Sequence, residues 1–253
     1  MNGPEHCLTG KKLIESVGTM TFKPLQRLGV VWLVTWATAC GSDDPQTVRV
    51  DFRQSPQGWT AGFADYPVGA DDFYELVSDY QPLEAPLNTG ENGLYISGNN
   101  HSDDLWMYYK GQVAGLDANR RYSVRFDVEI ATRVANGCVG VGGSPGEGVT
   151  VKAGVSDIEP QSVVEGADWR MNIDKGNQTN GGENALAIGD VANSIPCGET
   201  PQWELEQLSS EMESISVTTD GSGNVWLFAG TDSGFEATTS VYFTWFIATF
   251  EPR

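Results

Sequence analysis

The chain has 253 residues, of which 15 are Lys or Arg and 34 are Asp or Glu, so its formal net charge is −19. This excess of negative charge argues against nucleic acid as a partner and against electrostatic attraction to an anionic membrane surface. Hydrophobic residues make up 40% of the chain and charged residues 19%, which excludes disorder as the main state and fits one globular domain. The 30 Gly and 12 Pro follow no fixed repeat, which excludes collagen-like sequences.

Residues 20–40 have the features of a secretory signal. Lys23 and Arg27 form a cationic start, residues 28–39 form an apolar run of 12 residues, and small residues precede Cys40. The run is shorter than the ~20 residues that a membrane-spanning helix needs. We therefore predict that residues 1–39 are a signal or pre-sequence. Met20 is the expected true start, because residues 1–19 only lengthen the cationic region.

The segment Ala37-Thr38-Ala39-Cys40 resembles the lipobox of bacterial lipoprotein precursors. The resemblance implies that Cys40 carries the lipid, that residues 40–47 form a tether, and that acyl chains anchor the protein at a membrane. Gly41 after the cysteine implies sorting to the outer membrane or cell surface, outside the cytoplasm. Three residues before the cysteine, lipoboxes usually carry Leu or another aliphatic residue, and this sequence has the small Ala37 there. Plain secretion with cleavage nearby therefore remains the alternative.

Removal of residues 1–39 would leave three cysteines: Cys40, which is expected to carry the lipid, and Cys138 and Cys197. Two cysteines in an oxidising compartment at a spacing far from C-x-x-C favour a disulfide over a metal or redox site. The mature chain keeps 11 basic and 32 acidic residues, so its net charge is −21. We predict a disulfide between Cys138 and Cys197.

Apolar and polar residues alternate with period two between turn clusters, a pattern typical of half-buried β-strands. In chain order, the predicted strands are 48–52, 92–97, 105–112, 121–130, 149–153, 185–188, 215–219, 225–229 and 240–250. The run 121–130 is the clearest, with Tyr122, Val124, Phe126, Val128 and Ile130 on one face. Residues 240–250 are almost continuously apolar, which predicts a central strand.

These strands predict an all-β domain over residues 48–253, a two-sheet antiparallel β-sandwich of jelly-roll type with at most one short helix. Residues 203–214 fit a short helix or an irregular loop equally well. The segment Val113 to Tyr122 resembles the turn that enters a core strand in galactose-binding-like jelly rolls and other carbohydrate-binding modules.

Catalytic motifs are weak in this sequence. Residues 142–146 match the G-x-S-x-G pattern of a nucleophile elbow, but a strand pattern follows where a helix is required. His101 is the single histidine after residue 39, which excludes a multi-histidine zinc centre and a Cys-His pair. A hydrolase built on two carboxylates remains open, although no pair among the acidic residues is singled out.

Three loops are rich in oxygen ligands: residues 65–72, 99–104 and 172–178. Calcium takes 6–8 oxygen ligands, which such loops can supply. The alternative is that Asn, Asp and Gly simply form the turns. The predicted structural calcium ligands are drawn from these loops and from the loop before the last strand: Asp71, Asp72, Asn99, Asp103, Asp104, Asp174, Asn177 and Asp232.

Six tryptophans remain after residue 39, more than a small core usually requires. Flat aromatic rings stack on sugars while neighbouring polar side chains bind the hydroxyls, so Trp106, Tyr108, Trp169 and Arg170 are the predicted ligand-binding residues. The alternative places each tryptophan in the core. Of Tyr108 and Tyr109, at most one faces outward, because adjacent strand residues point to opposite faces.

Taken together, these features predict a lipid-anchored cell-envelope protein with a non-catalytic β-sandwich that binds carbohydrate and holds calcium. The main alternative is a structural envelope lipoprotein that interacts with another envelope protein and binds no small ligand. A glycan-active enzyme that uses a carboxylate pair is the third hypothesis.

Overall fold

The computed structural model describes residues 43–87, 90–102 and 104–253, so Cys40, the signal region and Asp103 lie outside the described residues. All regular structure in this part of the chain is β-strand. The strands are β1 Gln46–Asp51, β2 Thr60–Ala64, β3 Tyr66–Pro67, β4 Val77–Pro82, β5 Asn92–Asn99, β6 Leu105–Val113, β7 Arg121–Thr132, β8 Val134–Asn136, β9 Val149–Ser156, β10 Ser162–Glu165, β11 Asp168–Met171, β12 Ala185–Asp190, β13 Ala192–Pro196, β14 Glu204–Ser209, β15 Ile215–Thr218, β16 Val225–Ser233 and β17 Thr238–Pro252.

Sheet A is antiparallel, with the strand order β14-β7-β17-β5-β4. Its long central strand β17 pairs with β7 along most of its length, while its other edge pairs first with β5 and then with β1. A bulge at Thr244 lies where the partner changes. The hydroxyl of Thr244 donates to the buried carboxylate of Glu129 at 2.7 Å. The apolar run 240–250 is therefore a central strand, as its composition predicts.

Sheet B is also antiparallel, with the order β12-β9-β16-β6-β2. Its register places Asp232 opposite both Trp106 and Thr150, and Gly230 opposite both Tyr108 and Lys152. The inner faces of sheets A and B enclose the main core. Tyr122, Val124, Phe126, Val128 and Ile130 of β7 are all fully buried there, which confirms the predicted alternation and the two-sheet sandwich.

The outer face of sheet B is covered by residues 157–184. Two hairpin strands of this segment, β10 and β11, form a three-stranded sheet with β3. Met171 and Ile173 pack on a second apolar cluster that contains Trp106, Tyr108 and Phe228. Three glycines admit these rings, since a Cβ would approach the ring atoms to 2.3 Å at Gly62 beneath Tyr108, 2.2 Å at Gly154 beneath Phe228 and 2.7 Å at Gly230 beneath Trp106.

Four further sequence predictions concern single segments of the chain. Cys138 and Cys197 form the expected disulfide, with their Cα atoms 5.1 Å apart. Residues 142–146 form bends and turns that lead into β9, so no nucleophile elbow exists there. Residues 203–214 are neither a helix nor a wholly irregular loop, because β14 occupies most of them and pairs with β7. β1 begins at Gln46, two residues before the predicted boundary of the sandwich.

Within the described part of the chain, no helix has the length and apolar character needed to span a membrane.

Candidate functional site

The three oxygen-rich segments of the sequence converge on one open cleft of about 570 Å³. Each segment enters it from a different position in the fold. Asp65 follows β2, Asp104 precedes β6, and residues 172–178 follow β11. The residues that line the cleft are Asp65, Asp104, Glu165, Arg170, Met171, Ile173, Asp174, Lys175, Gly176, Asn177, Gln178 and Thr179.

Local backbone geometry fixes two of these loops. Asp65 has a positive φ of 63°, which turns the chain sharply between β2 and β3. Asp174 accepts hydrogen bonds from the backbone N–H groups of Gly176 at 2.9 Å and Glu183 at 3.0 Å. These backbone donors lower the pKa of Asp174, so this carboxylate stays ionised and closes the loop that carries Lys175.

A buried charge network forms the floor beneath the cleft. Asp232 on β16 and Lys152 on β9 are both fully buried, and Lys152 Nζ lies 2.7 Å from Asp232 Oδ2. Lys175 enters from the covering loop, with Nζ 2.7 Å from Asp232 Oδ2 and 2.9 Å from Asp65 Oδ2. Lys152 also donates to the backbone carbonyls of Lys175 and Asn177. The network therefore ties the covering loop to sheet B.

The side chain of Arg170 on β11 is held at the cleft by three carboxylates. Its Nη1 lies 3.0 Å from Asp65 Oδ1 and 3.4 Å from Asp104 Oδ2, and its Nη2 lies 3.1 Å from Asp168 Oδ2. The Arg170 side chain remains 39% exposed. A guanidinium fixed in this way is pre-organised, because its planar fork is already oriented before any ligand arrives.

Burial and the close spacing of charged groups shift the pKa values of Asp104, Lys152 and Lys175. Burial, reinforced by the Asp65 carboxylate, raises the pKa of Asp104 to about 6. Burial lowers the pKa of Lys152. Burial also opposes the charge of Lys175, but the nearby Asp232 and Asp65 carboxylates outweigh it and raise the pKa of Lys175. The charge of Asp104 therefore changes at a pH of about 6.

One group of potential metal ligands is found among the described residues: Asp65, Asp104 and Asp232, whose carboxylate oxygens lie within 4.8 Å of one another. Asp104 and Asp232 are among the predicted calcium ligands, whereas Asp65 was missed. The Lys175 ammonium already lies beside two of these carboxylates. Together with Lys152 and Arg170 it neutralises the three aspartates, so the group has little unbalanced charge to offer a divalent cation.

The other predicted calcium ligands are dispersed. Asp174 and Asn177 line the cleft, but Asn177 Oδ1 is used as an acceptor for its own loop. Asp71 accepts from the hydroxyl of Tyr66 at 3.0 Å, and Asn99 donates to Glu75 at 3.2 Å. Asp71, Asp72 and Asn99 do not line the cleft. Calcium binding by these residues stays a prediction.

The aromatic residues that were predicted to bind the ligand do not lie together in the cleft. Trp106 and Tyr108 are buried under residues 157–184, and Tyr109 is buried on the opposite face. Trp169 is half-buried and lines a second groove, of about 370 Å³, which also includes Tyr66, Tyr108 and Phe63. Of the four predicted ligand-binding residues, Arg170 alone lines the larger cleft.

Sequence reasoning missed Asp65, Lys152 and Lys175. In the predicted strand 149–153, Lys152 falls on the polar face, where alternation implies solvent. The structure buries that face instead. A signal for Lys175 was absent, since a lysine in a polar loop is ordinarily exposed.

The sequence matches no protein-family model and no curated protein. Among solved structures, the mannan-recognising carbohydrate-binding module TmCBM27 is similar over 82% of this chain and 98% of that module, at 10% identity and a TM-score of 0.38. The module TmCBM61, solved with β-1,4-galactotriose, is similar over 75% of this chain and 87% of its own, at 10% identity and a TM-score of 0.34. A C-terminal module of a laminarinase from Zobellia galactanivorans is similar over 81% of this chain and 99% of its own, at 12% identity and a TM-score of 0.29. Values this low assign neither a family nor a ligand to the chain.

Proposed function

We propose that this protein is a non-catalytic carbohydrate-binding domain and that a saccharide binds in the 570 Å³ cleft. The observation that carries the proposal is Arg170, a partly exposed guanidinium held in one orientation by three carboxylates at the cleft. Rigid polar groups of this kind recognise hydroxyl pairs at low entropic cost, because they are already ordered in the free protein.

The rest of the cleft fits the same ligand class. Its volume lies within the roughly 300–1,000 Å³ range of small-molecule sites. Gln178 supplies a side-chain amide that can both donate and accept hydrogen bonds, Thr179 supplies a hydroxyl, and Asn177 supplies its Nδ2 donor. Met171 and Ile173 add an apolar surface against which the C–H face of a sugar ring can pack.

A glycan-array screen with matched variants tests this proposal. Gln178→Ala removes a cleft amide whose side chain makes no hydrogen bond with a described residue, and Arg170→Lys keeps the charge but loses the planar fork. Gln54→Ala is the control, since Gln54 is exposed and lies outside the cleft. We expect both cleft variants to lose at least about fivefold in affinity and the control to bind normally.

The screen also separates the rival functions. A folded protein that binds no glycan, but copurifies with an envelope protein, would favour the structural or protein-interaction role. Release of reducing ends from a bound glycan, abolished by Asp104→Asn, would favour a glycan-active enzyme that uses Asp104 and Asp65. Either result would replace the binding function proposed above.

We also propose that the domain is held outside the cytoplasm by lipid on Cys40, at the outer membrane or cell surface. The support is the lipobox-like segment 37–40 and a disulfide typical of oxidising compartments. Mass spectrometry of the mature N-terminus should find diacylglyceryl-modified Cys40, and Cys40→Ala should release the protein from the membrane fraction. An unmodified N-terminus near residue 40 would instead support plain secretion.

A further inference from the structure

We propose that the cleft selects saccharides that carry free amino groups, so that an ammonium of the ligand meets the cleft carboxylates. This inference rests on the proposed carbohydrate-binding function and narrows it to one ligand class.

Carboxylates outnumber cations around the cleft. Four acidic residues line it, Asp65, Asp104, Glu165 and Asp174, against the two basic residues Arg170 and Lys175. Asp168, at the edge of the cleft, adds a further carboxylate through its contact with Arg170. Lys152, Lys175 and Arg170 offset the three grouped aspartates, which leaves Glu165, Asp174 and Asp168 in excess. A cleft with this excess of carboxylates attracts cationic ligands and repels anionic ones.

Both cations of the cleft are already engaged. Lys175 is 8% exposed and contacts two carboxylates, and Arg170 contacts three. Arg170 keeps further N–H donors for ligand hydroxyls, but its charge is already offset by three carboxylates, which also repel an anionic group of a ligand. Uronic and sulfated sugars are therefore poor ligands for this cleft.

Glu165 and Asp104 are two cleft carboxylates that a ligand can reach. Glu165 is exposed and makes no ion pair with any described residue. Asp104 is partly exposed, and its one ion pair within the described chain is the 3.4 Å contact with Arg170. An ammonium, with three N–H donors on one atom, can approach these groups directly.

An independent observation concerns the floor of the cleft. Asp232 is fully buried, and its Oδ1 makes no hydrogen bond with a described residue. Its carboxylate lies within 4.8 Å of those of Asp65 and Asp104, which line the cleft. An unpaired acceptor therefore lies close beneath the cleft carboxylates, which favours a ligand that brings N–H donors.

The test compares three tetrasaccharides with the same β-1,4-linked glucose-type backbone: one of glucosamine, one of N-acetylglucosamine and one of glucose. Isothermal titration calorimetry on the full chain at pH 7 and low salt measures each affinity. We expect the glucosamine tetramer to bind about tenfold or more tightly than the other two.

Three variants localise the effect. Glu165→Gln and Asp104→Asn should each weaken glucosamine binding by about three- to fivefold and weaken binding of the two neutral tetramers by a smaller factor, because only the glucosamine tetramer loses a charge partner. Glu213→Gln is the matched control, because Glu213 is exposed in the turn between two strands that pair with β7 of sheet A. An equal loss in Glu213→Gln would assign the preference to the overall charge of the protein and overturn the proposal.

The outcomes distinguish this inference from the function on which it rests. Equal binding of all three tetramers would overturn the amino-sugar preference and leave carbohydrate binding in place. Stronger binding of an acetylated or neutral tetramer would do the same. Binding of no saccharide by the folded protein would overturn both.

Discussion

The two faces of sheet B are both buried, yet they are stabilised by opposite means. The inner face carries Leu105, Met107, Val151 and Leu227, which pack into the apolar core against sheet A. The outer face of the same strands carries Trp106, Lys152 and Asp232, covered by residues 157–184. One face needs only apolar surface of suitable shape, whereas the other needs every buried charge to meet its partner.

This difference separates stability from recognition within one sheet. An apolar face tolerates substitutions that conserve volume, because its interactions have no direction. A buried charge network fixes the positions of the groups around it, and here it fixes Lys175, Asp65 and Arg170 at the cleft. We infer that the outer face contributes geometry to the cleft more than it contributes net stability.

The largest effect should come from Asp232→Ala on the outer face. The substitution leaves Lys152 with no carboxylate partner and Lys175 with one, so we expect a loss of about 3–5 kcal/mol in the free energy of unfolding, measured by urea denaturation. The double variant Lys152→Met with Asp232→Leu removes charge from both sides and should lose less than the single variant.

Leu227→Ala on the inner face provides the comparison for this experiment. We expect it to cost about 2–5 kcal/mol through the cavity that it leaves, with no recovery available from a charge partner. If Asp232→Ala cost less than about 1 kcal/mol, or if the double variant lost more than the single one, the account of the outer face as a charge network would be wrong.

The second prediction concerns the aromatic rings of the outer face. A Cβ at Gly62 would lie 2.3 Å from the ring of Tyr108, so Gly62→Ala should cost about 1–3 kcal/mol through forced displacement of the ring. Thermal denaturation of Gly62→Ala, Tyr108→Ala and the double variant gives the coupling between the two residues. Simple addition of the two single losses would show that the ring does not lie against the glycine.

The contrast between the faces also explains what the sequence could predict. The alternation in β7 identifies a core strand, because one of its faces packs inside the sandwich and the other carries polar residues. In β9 all eight residues are buried, so the alternation of apolar and polar residues does not indicate which side chains are exposed. The prediction from alternation that Lys152 faces solvent is therefore wrong. The strands β10 and β11 are too short to carry a periodic signal.

The sequence predicts which loops are rich in oxygen ligands, but it does not predict that these loops meet in one cleft. The three oxygen-rich loops stand out in the sequence, but the order of strands in sheet B determines that they meet. Asp65 begins one of these loops, but the sequence does not single it out as a cleft residue, since its position depends on a turn with positive φ between two strands. The pairing of Asp232 with two lysines depends on a register that no local pattern encodes.

The third prediction uses the protonation of Asp104. Burial raises its pKa to about 6 in the folded protein, whereas an unperturbed Asp titrates near ~3.9. Between these values the folded state holds a proton that the unfolded state has released, so stability falls as pH rises from about 4 to 6. The Asp104 side chain is 37% exposed, and solvent screening limits the effect to about 1 kcal/mol or less.

The variant Asp104→Asn isolates this contribution. Urea denaturation of both proteins at pH 4, 5, 6 and 7 gives the difference in stability at each pH, in which the other titrating groups largely cancel. We expect the wild type to lose stability relative to Asp104→Asn as pH rises through this window. A difference that is constant, or that changes in the opposite direction, would place the pKa of Asp104 at or below its ordinary value.

The smallest expected effect is that of calcium on the outer-face network. The Lys175 ammonium lies within 2.9 Å of two of the three grouped carboxylates, so a divalent ion would have to displace it and leave a buried lysine unpaired. We therefore expect millimolar calcium to raise the melting temperature by less than about 1 °C, measured against chelator. A rise of several degrees that is lost in Asp104→Asn would show instead that the carboxylates accept the ion, and that the ammonium is the group that moves. A rise that persists in Asp104→Asn would place calcium elsewhere, with Asp71 and Asp72 the next candidates to replace by asparagine, because they do not line the cleft.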